Sequence, residues 1–271
     1  MTTESNRGFL GSLVDGIVDQ ATLDTGTETT ATVEETVDAT ALDRLTVESV
    51  NGDAVLRLTE DDTVTVTATK RTRAGADHLD RLHVRTTVAD GTLRVVVEPE
   101  DEGVGRNVRA KADLDIAVPA SVAVDHVELV NGSITLDGVT GDTRAEVANG
   151  GIEATDVAGF VSLQAANGSV TARGCTGIDA AETANGSVDV AVHSLRRNAE
   201  VGSPNGSLTV RLAADLDADV LAETLIGRVT VEDCDLAVAS QSSRRLLATH
   251  GQGGYEIEAS AVNGSVTVTG V

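Results

Sequence analysis

The chain has 271 residues with a formal net charge of −23 at pH 7, from 43 acidic residues against 20 lysines and arginines. We therefore expect no nucleic-acid partner, because this surface repels polyanions. Only three aromatic residues occur, so aliphatic side chains must fill the core, which favours a narrow interior about 10 Å across over a wide globular one.

Residues 1–20 predict a short amphipathic helix. Its apolar side chains recur at helical spacing: Phe9, Leu10, Leu13, Val14, Ile17 and Val18. Such a helix packs on the rest of the chain or frays in solvent; the alternative is weak docking of Phe9–Val18 on a partner or a membrane surface. The acidic residues Asp15 and Asp19 disfavour the membrane, because helices that bind membrane surfaces are usually basic.

No signal-peptide pattern occurs, and no stretch is long and apolar enough to predict a membrane span. These patterns predict a cytoplasmic protein, with a surface location requiring another export route. Residues 21–40 are rich in threonine and acidic residues and poor in apolar ones, which predicts a mobile linker.

Residues 41–118 are rich in predicted strands but lack the repeat that follows. The segment around Asn51-Gly52 predicts either a hairpin or a first coil of a repeat, and the segment around Ala89-Asp90-Gly91 predicts a hairpin. Whether this part continues the repeat stays open. Basic residues gather here, and they either neutralise neighbouring carboxylates or form a patch for an acidic ligand: Lys70, Arg71, Arg73, Arg81, Arg85, Arg106, Arg109 and Lys111.

Residues 119–271 repeat one phrase, beginning with VELVNGSITL, and its apolar residues alternate with polar ones on either side of an Asn-Gly pair. Alternation with many β-branched residues predicts strands, and a fixed period near 20 residues predicts stacked units. We predict an all-β fold: a single-stranded parallel β-solenoid with coils of about 18 residues, preceded by the strand-rich part and the short helix.

The repeated Asn-Gly pairs predict a structural ladder, in which stacked asparagines hydrogen-bond between coils and glycine permits the turn. A polar binding stripe is the alternative. The asparagines are Asn131, Asn149, Asn167, Asn185, Asn205 and Asn263, and the glycines are Gly132, Gly150, Gly168, Gly186, Gly206 and Gly264. One phrase, ETLIGRVTV, has Ile226 where the others have asparagine.

A polar column beside the turn contains Glu128, Glu146, Gln164, Glu182 and Glu223. It predicts a solvated face, with a divalent-cation stripe as the alternative. The acidic residues are spread along strands, which we interpret as adaptation to high salt, where ions screen their repulsion.

Both cysteines, Cys175 and Cys234, lie eight residues after the aligned turn position, in one inward column. They are separated by about three strand spacings, too far for a disulfide, so we predict two buried free thiols. The sequence contains no recognisable spacing for a catalytic, cofactor-binding or metal site.

The final strand, SVTVTGV, runs to the last residue without a cap, which predicts an open sheet edge at the C-terminal end. Residues 239–254 are predicted to be a projecting loop.

Several segments, in this order, resemble an adhesin-like family of β-strand repeat proteins whose function is unassigned: LTVESVNGD, TVTVTATK, DGTLRV, DLDIAVP and the tandem NGS phrases. The resemblance covers about Leu42–Val271, and the acidity resembles that of haloarchaeal-type members. It implies a β-solenoid-like fold and surface attachment, and it transfers no catalytic residues.

The sequence therefore favours a non-catalytic adhesin-like or scaffold module that binds proteins or associates with itself through the open C-terminal end. One alternative is a carbohydrate-active β-helix enzyme. Another is a regulatory module that docks on a membrane partner through the N-terminal helix.

Overall fold

The protein is almost entirely β-structure in the computed structural model, which describes residues 22–24, 28–100 and 109–271. The all-β prediction is confirmed, and the predicted helix of residues 1–20 lies outside the described residues. Two short helical turns interrupt the strands, a 3-10 turn at Ala39–Ala41 and α1 at Asp77–Asp80. No helix in the described ranges is long and apolar enough to cross a membrane.

The strands, in chain order, are β1 (Thr22–Asp24), β2 (Thr29–Asp38), β3 (Arg44–Asn51), β4 (Ala54–Thr59), β5 (Thr63–Thr72), β6 (Leu82–Ala89), β7 (Thr92–Pro99), β8 (Ala110–Pro119), β9 (Ala123–Asn131), β10 (Ile134–Asp137), β11 (Thr143–Asn149), β12 (Ile152–Thr155), β13 (Phe160–Asn167), β14 (Val170–Arg173), β15 (Gly177–Asn185), β16 (Val188–Val192), β17 (Ala199–Asn205), β18 (Leu208–Leu212), β19 (Ala218–Ile226), β20 (Val229–Glu232), β21 (Ala237–Gln241), β22 (Arg245–His250), β23 (Glu256–Asn263) and β24 (Val266–Gly270).

These strands form two twelve-stranded sheets. Sheet 1 has the order β1-β2-β5-β8-β4-β10-β12-β14-β16-β18-β24-β20. Sheet 2 has the order β21-β22-β19-β23-β17-β15-β13-β11-β9-β3-β7-β6. In each repeat, the strand before the Asn-Gly pair lies in sheet 2 and the strand after it lies in sheet 1.

Parallel pairing in the centre of both sheets follows the period of the sequence. Ile134 aligns with Ile152, and Ile152 aligns with Val170, each step being 18 residues. Alternate side chains point inward, so Ile134 and Leu136 are fully buried while Thr135 between them is not. The inward side chains of both sheets form one aliphatic core, as the scarcity of aromatic residues predicts.

Antiparallel strands flank the parallel centre. β5 pairs antiparallel with β8, β6 with β7, and β22 with β19. The predicted hairpin of β6 and β7 is confirmed; its turn residues Asp90 and Gly91 have φ values of 50° and 73°, as a two-residue hairpin turn requires.

Three sequence predictions need correction along the chain. The predicted linker of residues 21–40 is wrong for Thr29–Asp38, which pairs with β5 over ten positions. The hairpin alternative at Asn51-Gly52 is also wrong, because β3 and β4 lie in different sheets and align with β9 and β10. The predicted loop of residues 239–254 contains β22 and the end of β21. β2, β3, β4 and β22 each pair with a strand that is distant in sequence, which local patterns do not reveal.

The predicted open C-terminal end is wrong. β24 lies inside sheet 1, where Val266 aligns with Leu208 on one side and with Val229 on the other. β23 likewise lies between β17 and β19 in sheet 2. The last repeat, which contains Asn263, is therefore inserted between the repeat of Asn205 and the repeat of Ile226. The sheet edges at this end of the described structure are β20 and β21.

Engineered cysteine pairs test this strand order. In a Cys234→Ala background, we expect Thr230→Cys and Thr267→Cys to form a disulfide on oxidation, because these threonine hydroxyls are 3.1 Å apart on adjacent strands. Cys175 can stay, since it is only 1% exposed.

The control pair is Thr209→Cys with Thr230→Cys. Chain order would place β18 beside β20, whereas the structure separates them by β24, about 9.6 Å, beyond the reach of a disulfide. Crosslinking of the control pair and not of the first, measured by mass spectrometry after digestion, would contradict the strand order.

Candidate functional site

A hydrogen-bonded asparagine ladder runs along the turns that join the two sheets. Each side-chain Nδ2 donates to Oδ1 of the preceding asparagine, with distances of 2.9 to 3.1 Å. The ladder contains Asn51, Asn131, Asn149, Asn167, Asn185, Asn205 and Asn263. Asn51 is a ladder member that the sequence analysis did not predict, although the VNG triplet that contains it also occurs at Asn131 and Asn263.

Ile226 marks the end of this ladder. It aligns with Asn263 and is 63% exposed. If β19 lay directly beside β17, as chain order suggests, Ile226 would separate Asn205 from Asn263 and leave a donor and an acceptor of the ladder without their partners. Placing β23 next to β17 keeps the ladder continuous, because Asn263 then donates to Asn205 at 3.0 Å.

The glycine after each asparagine is required by close backbone approach. A Cβ atom added at Gly168 would overlap the carbonyl oxygen of Gly150, and one added at Gly150 would overlap that of Gly132. Gly168 also has a φ of 148°, which side-chain-bearing residues rarely adopt. The glycine of each Asn-Gly pair therefore allows the turns to stack closely.

An open groove of about 720 Å³ runs along sheet 2 beside the ladder, crossing β9, β11, β13, β15, β17 and β23. We call it the outer groove. Small side chains at Ala148, Ala166 and Ala184 line it, and at two of its strands Val130 and Val262 are 42% and 41% exposed. It exists because the aligned positions on successive strands carry small residues between the ladder and the glutamate column.

The glutamate column forms the polar part of the outer groove. Most of its members contact a histidine, an arginine or an amide: Glu128 with His126, Glu146 with Arg144, Glu182 with Gln164 and Glu223 with Arg245. Gly202 and Ser260 interrupt the column between Glu182 and Glu223. Within the described ranges, no group of three or more His, Cys, Asp or Glu residues is arranged to hold a metal ion.

A buried carboxylate, Asp179, forms a polar cluster outside the outer groove. It occupies the extra position where the register between β13 and β15 shifts, and its side chain is 5% exposed. Arg196 Nε donates to it at 3.1 Å, and Arg197 also donates to it. Arg196 bonds Asp142 as well, and its guanidinium lies 4.3 Å from the centre of the Phe160 ring.

Two opposing influences act on the pKa of Asp179. Burial alone would raise this pKa, but the hydrogen bonds from Arg196 and Arg197 together outweigh burial and lower it. Because Arg196 and Arg197 belong to the segment that lengthens one repeat to 20 residues, the cluster ties this longer connection to the bulge. We assign it a structural role.

Cys175 and Cys234 are both free. Cys175 is buried, whereas Cys234 is only half-buried, so the prediction of a buried thiol is wrong for Cys234. Cys234 lies two residues after the end of β20, and among the described strands none of sheet 1 lies beyond that edge to cover it.

No family model matches this chain, and no curated protein matches it. Similar solved structures exist. A candidate cell adhesion protein from Clostridium sporogenes has 12% sequence identity and a TM-score of 0.38, and the match covers 89% of this chain and all of the other. A candidate adhesin from Bacteroides fragilis has 11% identity and a TM-score of 0.33, covering 89% of this chain and 97% of the other.

A candidate lipid binding protein from Parabacteroides distasonis has 14% identity and a TM-score of 0.27, covering 91% of this chain and 98% of the other. Two of these three structures carry adhesion names. At these identities and TM-scores, the similarity assigns no function to this protein.

The ladder predicts a specific pair of stability changes. We expect Asn167→Ala to lower the free energy of unfolding by about 1–2 kcal/mol, because Asn167 both donates and accepts in the ladder. We expect Ile226→Asn to raise it by up to about 1 kcal/mol, because the new amide can donate to Asn263. Urea unfolding followed by circular dichroism measures both, and unchanged stability of Asn167→Ala would refute a stabilising role for the ladder.

Asp179 predicts a pH dependence. Its lowered pKa means that the charged carboxylate stabilises the folded state above the unfolded pKa of about 3.9, and that this contribution is lost as pH falls through the folded pKa. We expect Asp179→Asn to be about 1–3 kcal/mol less stable at pH 7 and to lose less stability than the wild type below about pH 4.

The matched control for this measurement is Asp137→Asn, which removes an exposed carboxylate on sheet 1. Thermal melts between pH 2.5 and pH 7 give the comparison. Parallel pH profiles for Asp179→Asn and the wild type would show that Asp179 does not contribute in this way.

Proposed function

We propose that this protein is a non-catalytic interaction module of the adhesin-like or scaffold type, whose outer groove binds an extended segment of a partner protein. In this proposal, the two sheets are the faces of a stacked β-solenoid with coils of about 18 residues. The observation that carries the proposal is the outer groove itself, which is continuous across six strands.

The dimensions of the outer groove suit an extended chain. Six strands spaced about 4.8 Å apart give a length of about 24 Å, which corresponds to about seven extended residues. The strands beneath are held in register on both sides by parallel pairing and by the asparagine ladder. A rigid groove of this kind loses little conformational entropy when a partner binds.

The chemistry of the outer groove favours a partner with both apolar and basic side chains. Val130, Pro204 and Val262 are exposed apolar surface, as in the centre of a protein interface. Glu128 and Glu146 lie beside them, and charge complementarity calls for lysine or arginine on the partner. Because both glutamates already contact a histidine or an arginine, we assign them to recognition rather than to acid–base catalysis.

The rival functions have less support. Self-association through the C-terminal strand is not proposed, because β24 is internal. No side-chain contact among the described residues supports the carbohydrate-active alternative. The regulatory alternative depends on residues 1–20, which lie outside the described residues.

Three further features belong to the proposal and rest on the sequence: membership in the adhesin-like β-strand repeat family, a cytoplasmic location and adaptation to high salt.

The proposed adaptation to high salt has a direct test. We expect the protein to unfold on transfer from multi-molar to dilute salt, because its excess of 23 negative charges is then unscreened. Equal stability in both solutions, measured by circular dichroism, would contradict it.

Peptide selection tests the outer groove. We expect random twelve-residue peptides selected on the wild-type protein to combine apolar and basic residues. Ala166→Arg and Ala184→Arg should each weaken their binding by about tenfold or more, since an arginine fills the groove and repels basic side chains. Fluorescence anisotropy with the selected peptides gives the affinities.

The control is Thr171→Arg, which adds the same charge at a half-exposed position of sheet 1. Thermal melts establish that each variant folds. If the selected peptides bind Ala166→Arg as tightly as the wild type, their site lies elsewhere and the proposed function of the groove is wrong.

A further inference from the structure

A second groove, of about 710 Å³, lies where β5 and β8 approach the first two Asn-Gly turns. Four of its lining residues are cations, Arg71, Arg73, Arg109 and Lys111, and we call it the basic groove. These are four of only 20 lysines and arginines in a chain with 43 acidic residues. In such a chain, each cation is expected to be neutralised by surrounding carboxylates, so a local excess needs an explanation.

The carboxylates near the basic groove do not cancel its charge. Arg71 and Lys111 share one partner, Asp113, at 3.4 Å and 3.2 Å. Arg73 lies 3.5 Å from Glu28, but its side chain is 79% exposed, so this pair is weak. The third carboxylate, Asp53, accepts the backbone N–H of Ser133 at 2.8 Å.

Arg109 is the cation without a carboxylate partner in the described part of the chain. Its backbone is held on both sides, because its N–H donates to His78 Nδ1 at 3.1 Å and its carbonyl accepts the Thr72 hydroxyl at 2.7 Å. The guanidinium makes no hydrogen bond or ion pair with any described residue. A fixed backbone that presents to a groove a guanidinium with no partner among the described residues suits ligand binding better than it suits stability.

The asparagine ladder supplies a neutral donor at the same place. Asn51 is its first member, and it accepts a hydrogen bond from Asn131 at 2.9 Å. Every later asparagine donates to the one before it, but none precedes Asn51, and its Nδ2 has no acceptor among the described residues. This amide lines the basic groove beside the four cations.

We propose that the basic groove binds an oxyanionic group, namely a sulfate or a phosphate, through Arg109, Lys111 and the Asn51 amide. Guanidinium nitrogens pair with two oxygens of such a group at once, and charge-assisted bonds of this kind are about twice as strong as neutral ones. The group is either a free inorganic anion or one carried by an acidic oligosaccharide. The overall negative charge of the protein repels both at long range, so we expect binding at high ionic strength, where that repulsion is screened.

Nitrogen-15 NMR at constant high ionic strength, set with potassium chloride, tests this inference. The probes are sodium sulfate, sodium phosphate and a sulfated octasaccharide. We expect at least one of them to cause saturable shifts of the Arg109 Nε–H and Asn51 amide signals. Saturation by sulfate or phosphate identifies a free-ion site, and saturation by the octasaccharide alone identifies a saccharide-borne group; either outcome supports the proposal.

Arg109→Gln should weaken binding about tenfold or more, because it removes a charged donor. The matched control is Arg85→Gln on β6, outside the groove, which removes one positive charge from an exposed ion pair with Glu98 of β7. Both side chains lie on the surface, and thermal melts confirm that the variants fold. The absence of saturable shifts with all three probes would overturn the proposal, and so would equal weakening by the two substitutions.

The basic groove and the outer groove use different side chains. Failure of either experiment therefore leaves the other proposal standing.

Discussion

The close stacking of the Asn-Gly turns is the constraint on which the rest of this structure depends. Each turn glycine lies so near the carbonyl of the turn beneath it that a Cβ atom would not fit. Successive asparagines lie on adjacent turns, about one strand spacing apart, and their side chains hydrogen-bond to each other. With the turns stacked in this way, the strands before and after them must run parallel and in register. The aliphatic core and the columns on both outer faces follow from that register.

Stacking in register brings like residues together, which matters in a chain of net charge −23. A column of identical carboxylates about 4.8 Å apart would repel strongly. On sheet 1, the outward column instead alternates acidic residues with threonine, in the order Thr135, Glu153, Thr171, Asp189 and Thr209. Asp189 is further neutralised by Arg173 and Arg211.

The two grooves arise from different parts of the architecture. The outer groove is a product of the repeat, since the same small residue recurs beside the ladder on successive strands. The basic groove is a product of the place where the repeat begins, because there the first asparagine has no predecessor and antiparallel β5 brings arginines beside the turn. The outer groove thus extends along the repeat, and the basic groove lies where the asparagine ladder begins.

The sequence by itself determined the local features of the repeat: its strands, the positions of its turns, its inward aliphatic residues and the asparagine column. These depend on periodicity and on the conformational requirements of Asn-Gly, which neighbouring residues reveal. The outer groove could also have been predicted, because the aligned phrases place Ala148, Ala166 and Ala184 in one column.

Only the tertiary structure decided the order of the strands. Residues 29–38 have the composition of a linker, and they form a strand because β5, about 30 residues later, offers ten pairing positions. The last repeat lies inside the array because Asn263 continues the ladder and Ile226 cannot. The basic groove likewise required β5, β8 and the first turns to meet. Pairing between distant segments depends on which partners are available in space, and no local pattern of residues contains that information.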